Sequence, residues 1–380
     1  MLSKNIQFKN FNFKFNNKLI KKDLKKLLSE DNETIKSLKP TYKYQYDKKL
    51  IKNKNKNLTI IGMGGSILGT QAIHDFLKYK VKKKVFFYDN LESTLKINPK
   101  SINIIISKSG NTLETIANTN ILINKNQTNI FVTELRNSYL RSLALKIKAE
   151  IINHNNFIGG RYSVLSEVGM LPAELMGLNE NKFKQLNNLI KNKKFVNSLV
   201  SNVCNTLFFV KKKRFNSIIL NYDSSSNNLF KWYQQLIAES LGKKGKGILP
   251  IISSMPKDNH SLMQYYLDGP KNNFFTFFYV KEKKTLKLNN NEIIQSHNYL
   301  KNKTLEKIRF SQKISTENVF SRKKIPFRSF EILNKNEKSL GELFCFFILE
   351  TILLGRALKV NPYDQPSVEL IKKETKKILI

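Results

Sequence analysis

The sequence predicts an α/β fold with two domains, each a parallel sheet flanked by helices, closed by a helical C-terminal segment. Three observations lead there. Short apolar runs alternate with stretches of helical periodicity, which calls for parallel strands joined by right-handed crossovers. Polar or glycine-rich turns sit where those runs end. The order strand, polar turn, helix then restarts past residue 200.

In the first half, "LTIIGMGGSILGTQAI" (Leu58 to Ile73) reads as strand, glycine loop and helix. "KKVFFYD" (Lys83 to Asp89) and "SINIIIS" (Ser101 to Ser107) are the next strands, with a helix from about Thr112. "NIFVTE" (Asn129 to Glu134) and "AEIIN" (Ala149 to Asn153) complete the set. In the second half, "FNSIILNY" (Phe215 to Tyr222) leads through Ser224 to Ser226 into a helix, and "FFTFFYV" (Phe274 to Val280) is a further strand. The expected boundaries are a basic N-terminal arm over 1–57, a first domain over 58–190, a second over 195–345, and C-terminal helices over 346–380 that complete the site. The polar, lysine-rich stretch "NKFKQLNNLIKNKKF" (Asn181 to Phe195) reads as the link.

Composition narrows the class. With 380 residues, 41% of them apolar, the chain can bury a sizeable core. Its 66 Lys and Arg against 29 Asp and Glu leave +37. Such a field favours anionic partners. The lysines are spread over turns, strands and helix faces, as in "KNKNKN" (Lys52 to Asn57), rather than gathered in one tract, so nucleic acid is not an expected partner. Cys204 and Cys345 have no metal or redox spacing and read as buried thiols of a cytoplasmic protein. The N-terminus lacks the apolar core of a signal peptide. "LFCFFILETILLG" (Leu343 to Gly355) is interrupted by Glu350 and too short for a bilayer, so it reads as a core helix.

The loops carry the chemistry. Ser107, Ser109, Asn111 and Thr112 lie between a strand end and a helix start, with Lys108 and Gly110 among them. Ligands bind at such carboxyl ends of open α/β sheets, and helix N-terminal amides favour anions. A phosphate monoester matches hydroxyls, amides and one lysine; the plainer alternative is an ordinary N-cap. The glycines 62, 64 and 65 fit neither the dinucleotide spacing nor the P-loop, and read as room for a sugar beside the backbone. Arg161, on the turn Gly159-Gly160, suits a developing negative charge, or is simply a surface arginine. Leu229, Trp232, Tyr233, Leu236 and Ile237 form the apolar stripe of a helix stopped by Gly242, with Glu239 on its flank. A half-buried carboxylate there would be a usable base; a solvated one would not. His260 lies before an Asp-Gly-Pro turn, and composition alone gives it no role.

Five blocks, in order, resemble the phosphoglucose isomerase (glucose-6-phosphate isomerase) family: "GMGGSILG", "SKSGNTLET", "GGRYSVLSEVG", "WYQQLIAESLGKKGKG" with "HSLMQYYLDGP", and "NPYDQPSVELIKK". They span about residues 58 to 373. The resemblance implies two sugar-isomerase-type domains and interconversion of glucose 6-phosphate and fructose 6-phosphate through ring opening and an enediolate, a step of glycolysis and gluconeogenesis. It implies that Gly65 and Ser66 line the sugar, and that Ser107, Lys108, Ser109, Thr112 and Thr115 hold the phosphate. Arg161 would stabilise the enediolate, Glu239 would be the base, His260 and Lys372 would assist ring opening, and Gln365 would contact substrate. It further implies a homodimer in which His260 reaches the neighbouring site, with no cofactor and no metal. Ser367 and Ile371 stand where the family usually has glycine, and Asn111 where it has threonine or a small residue. The other readings are a bifunctional phosphoglucose/phosphomannose isomerase and a non-catalytic phosphosugar-binding regulator.

Overall fold

The computed structural model describes residues 2–11, 18–49, 57–95, 98 and 100–380. Most of the "KNKNKN" run lies outside them. Ten strands are present among the described residues: β1 Ile6–Lys9, β2 Asn57–Gly62, β3 Val85–Tyr88, β4 Ser101–Ile106, β5 Asn129–Thr133, β6 Glu150–Asn153, β7 Asn216–Asn221, β8 Leu249–Ser254, β9 Asn273–Val280 and β10 Phe327–Ile332. The helices are α1 Lys18–Ser29, α2 Glu33–Ser37, α3 Leu68–Phe76, α4 Leu113–Leu122, α5 Tyr139–Lys146, α6 Glu167–Leu175 and α7 Leu186–Lys191. They continue with α8 Lys193–Lys211, α9 Asn227–Leu241, α10 Met263–Asp268, α11 Leu305–Arg322, α12 Glu337–Ala357 and α13 Val368–Leu379.

The strands form two five-stranded sheets, ordered β3-β2-β4-β5-β6 and β1-β10-β9-β7-β8. The first is parallel throughout; in the second only β1 runs antiparallel, pairing with β10. All six residues of β4 and all eight of β9 are buried. Helices cover both faces of a parallel sheet, so these strands read as continuous rather than alternating apolar runs. In the first sheet the strand order reverses between β2 and β4, and in the second between β7 and β9. Each reversal opens a crevice beyond the carboxyl ends of the two strands.

Some expected boundaries move. The described residues ahead of β2 do not stand apart as an arm, because β1 extends the second sheet and α1 buries Ile20, Leu24 and Leu27. The link over 181–195 is folded into α7 and α8, with Phe183, Leu186, Leu189 and Phe195 buried. Its apolar positions recur at helical spacing beneath the lysines, and they decide its fate. The boundary expected at residue 345 falls inside α12, which is buried from Ser339 to Gly355. No helix among the described residues is long and apolar enough to cross a membrane.

Glu350, the charge that interrupts the apolar run of α12, is fully paired. Its Oε1 accepts from Arg328 Nη1 at 2.5 Å and from Asn202 Nδ2 at 2.6 Å, and Tyr233 Oη donates to Oε2 at 3.2 Å. Arg328 also donates to Thr276 Oγ1 at 2.9 Å, so the network joins β10, β9, α8, α9 and α12. A buried pair adds little over apolar packing, yet losing one partner strands the other charge. Glu350→Ala should therefore cost about 3–5 kcal/mol in denaturant unfolding. A loss below about 1 kcal/mol, the level of a surface pair, would show that the network carries no such weight.

Candidate active site

The crevice of the first sheet is built from two turns on neighbouring strands. Gly62 at the end of β2 lies opposite Ile106 at the end of β4, so the glycine loop and the hydroxyl loop start side by side. Ser107 is buried and its Oγ lies 3.0 Å from Thr112 Oγ1. Thr112 occupies the N-cap position of α4 without making a side-chain cap bond, which removes the ordinary N-cap reading. Thr115, one turn on and only 1% exposed, has an Oγ1 with no hydrogen-bond partner. Burying a hydroxyl unpaired is unfavourable unless a ligand or water satisfies it.

The loop is pinned from outside. Gly110 has φ +64°, and a Cβ there would fall 2.1 Å from Ser138 Oγ, so only glycine fits. Asn111 accepts from Tyr139 N at 2.9 Å, tying the loop to the start of α5; this gives the unusual asparagine a structural task. Ser109 Oγ accepts from Asn111 N at 3.2 Å. Lys108 reaches outward, donating to Asn156 O at 2.8 Å with Glu134 at 3.4 Å.

Gly65 is buried against the second half of the site. A Cβ at residue 65 would lie 2.2 Å from the carbonyl carbon of Gly160 and 2.3 Å from the backbone nitrogen of Arg161. The glycine loop, with Ser66 in the same turn, thus packs directly on the turn that presents the arginine. Arg161 is 3% exposed, not a surface residue. Its Nε donates to Ser240 Oγ at 2.8 Å, Nη1 to Gln365 Oε1 at 2.8 Å, and Nη2 to Pro362 O at 2.8 Å and Asp364 O at 3.0 Å. Glu239 Oε1 lies 3.1 Å from Nη1, with the Glu239 side chain 23% exposed. Trp232 of α9 donates its indole N–H to Arg161 O at 3.1 Å.

The structure therefore brings together Gly65, Ser66, Arg161, Glu239 and Gln365, with the hydroxyl loop on the adjoining strand. It leaves two expected residues apart. His260 is exposed in the turn Lys257–His260 after β8, the outer strand of the second sheet. Lys372 lies on α13, which buries none of its residues, with Nζ on Glu369 at 2.6 Å and the side chain 58% exposed.

One contributor escaped the sequence reading. Gln235 stands one turn before Glu239 on α9; its Oε1 is buried without a partner, and its Nε2 is 2.9 Å from where a Cβ on Gly64 would sit. The spacing of four residues from Glu239 was the available signal.

The chain matches the family model described as phosphoglucose isomerase over residues 16–249. It is 34% identical over 357 residues to the glucose-6-phosphate isomerase of Methanocaldococcus jannaschii, covering 86% of each chain. Among solved structures, a hypothetical protein of Thermus thermophilus superposes with TM-score 0.82 at 21% identity, covering 95% of this chain and 94% of the other. A glucose-6-phosphate isomerase of Chlamydia trachomatis superposes with TM-score 0.69 at 18% identity, covering 87% and 71%. The last two speak for the fold, and the first two, with the site geometry, for kinship: the chain belongs to the phosphoglucose isomerase family.

Proposed function

We propose that the crevice around Arg161 and Glu239 is where this aldose–ketose isomerase interconverts glucose 6-phosphate and fructose 6-phosphate, and that its residues divide the work as follows. Ser107, Ser109, Thr112 and Thr115, with the first amides of α4 and the charge of Lys108, hold the phosphate. Its binding energy fixes the far end of the sugar over Gly65 and Ser66. His260, entering from a second copy of the chain, and Lys372 move the proton from the C1 hydroxyl to the ring oxygen as the C1–O5 bond breaks. Glu239 then takes the C2 proton, leaving an enediolate whose negative oxygen is stabilised by the Arg161 guanidinium. Returning that proton to C1, with a proton moved from the C2 oxygen to the C1 oxygen, gives the ketose. Gln365 and Gln235 orient the hydroxyls between them.

The observation that carries this reading is the 3.1 Å pair of Glu239 and Arg161, packed on the glycine loop after β2, with the unpartnered, buried Thr115 hydroxyl following the adjoining strand β4. Glu239→Gln should lower kcat by about 10²-fold or more, while phosphosugar binding changes little. Near-normal turnover would remove Glu239 from the role of base.

The second copy is needed because His260 is exposed on the rim of the second sheet. Leu249, Leu262 and Tyr265 are exposed on the elements around it, apolar surface suited to an interface. That surface must outweigh the repulsion of two chains of +37. A phosphosugar substrate and the buried cysteines Cys204 and Cys345, far apart in sequence, accord with a cytoplasmic setting. Mixing inactive His260→Ala and Glu239→Gln chains under subunit exchange should restore activity, because a mixed dimer carries one intact centre. If exchange is demonstrated and no activity returns, His260 serves its own chain.

A further inference from the structure

The Arg161 turn rests on a lysine outside the site. Gly160–Leu165 is a short, continuous 3-10 segment. The carbonyl of its last residue, Leu165, accepts from the ammonium of Lys184, and the same Nζ donates to Ser37 O at 2.5 Å. Lys184 is 3% exposed. The rings of Tyr42 and Tyr44 flank its Nζ, with centroids 5.0 Å and 4.9 Å away. Its backbone is closely packed as well: Phe183 O would lie 2.1 Å from a Cβ on Gly341, so this stretch is pressed onto the buried helix α12. Burial lowers the ammonium to about 7, so the side chain is held there against its solvation preference. A neutral amine still offers two N–H donors, enough for both carbonyls.

The partner element of this grip also reaches the other wall of the site. Ser37 ends α2, whose N-cap Asn32 donates from Nδ2 to Tyr363 Oη at 2.8 Å. Tyr363 lies in the turn whose Pro362 and Asp364 carbonyls hold the Arg161 guanidinium. Farther along, Tyr42 donates to Glu167 Oε2 at 2.9 Å, at the start of α6 just beyond the Arg161 turn. One N-terminal segment thus buttresses both the backbone that carries the arginine and the backbone that cages its head.

We propose that Lys184 is a positioning residue for the isomerisation, fixing the Arg161 turn to the N-terminal segment and to α12 so that the guanidinium meets the enediolate oxygen. The proposal rests on the reading of Arg161 as the enediolate electrophile. Lys184 touches no substrate atom in this account. Its loss therefore leaves the phosphate anchor on β4 and α4 intact and displaces only the arginine.

The test is steady-state kinetics of Lys184→Met and Lys184→Gln, with Arg161→Gln in parallel and inorganic phosphate as a competitive probe. Lys184→Met should lower kcat about 10- to 100-fold, the cost of a displacement near 1 Å. KM and inhibition by phosphate should stay within about twofold, as expected where an interaction made only in the transition state is lost. Lys184→Gln, which keeps an N–H-bearing amide on a shorter arm, should recover part of kcat. A folded Lys184→Met enzyme with normal kcat overturns the proposal, and so does a parallel rise in KM and in the phosphate inhibition constant. Failure of both Lys184 variants to fold also overturns it, since the lysine would then serve the whole fold. If Arg161→Gln itself retains activity, the reading of Arg161 fails instead.

Discussion

The guanidinium of Arg161 is the point on which the site's geometry depends. A buried arginine is tolerated only when its N–H groups find acceptors. Here those acceptors come from two distant parts of the chain: Ser240 and Glu239 on α9, and the C-terminal turn with the Gln365 side chain and the backbone carbonyls of Pro362 and Asp364. Satisfying one side chain thus forces α9, the Gly160–Leu165 turn and the C-terminal turn into a single arrangement. The glycine loop must join them, because Gly65 leaves room for no side chain between itself and Arg161. The charge that organises the fold at this place is also the charge to which the proposed chemistry assigns the enediolate.

The two sheets share a winding order but not a use. In the first crevice the first turn of α4 keeps the buried Thr115 hydroxyl unpartnered. In the second, the turn after β7 is closed by its own carboxylate: Ser225 Oγ donates to Asp223 at 2.9 Å, Ser226 Oγ at 2.5 Å, and Lys335 Nζ lies at 3.4 Å. An anion has nothing to gain where an aspartate already neutralises the donors. That difference in polar satisfaction favours the first crevice over the second as the place for the proposed phosphate anchor.

Much of this was legible because parallel strands buried on both faces announce themselves as apolar runs; β2, β4, β7 and β9 are of that kind. β10 was hidden by Arg328 near its start, whose charge is answered by Glu350 from a distant helix. β8 was hidden by Pro250 and its serines, which an outer strand tolerates. At the site, hydroxyls and glycines at a strand–helix junction have a recognisable chemistry. The acceptors of Arg161 do not, since two are backbone carbonyls whose residue types carry no trace of the task. Gln235 escaped because an amide gains meaning only from what it faces.

The central claim is a division of labour, with phosphate held by the loop after β4 and chemistry performed at Arg161 and Glu239. It is tested most directly by an experimental structure with a stable phosphosugar acid, whose carboxylate stands in for the enediolate. The account predicts phosphate oxygens within about 3 Å of the Ser107, Thr112 and Thr115 hydroxyls, and the carboxylate at the Arg161 guanidinium beside Glu239. A phosphate seated on Arg161, with the hydroxyl loop empty, would contradict it.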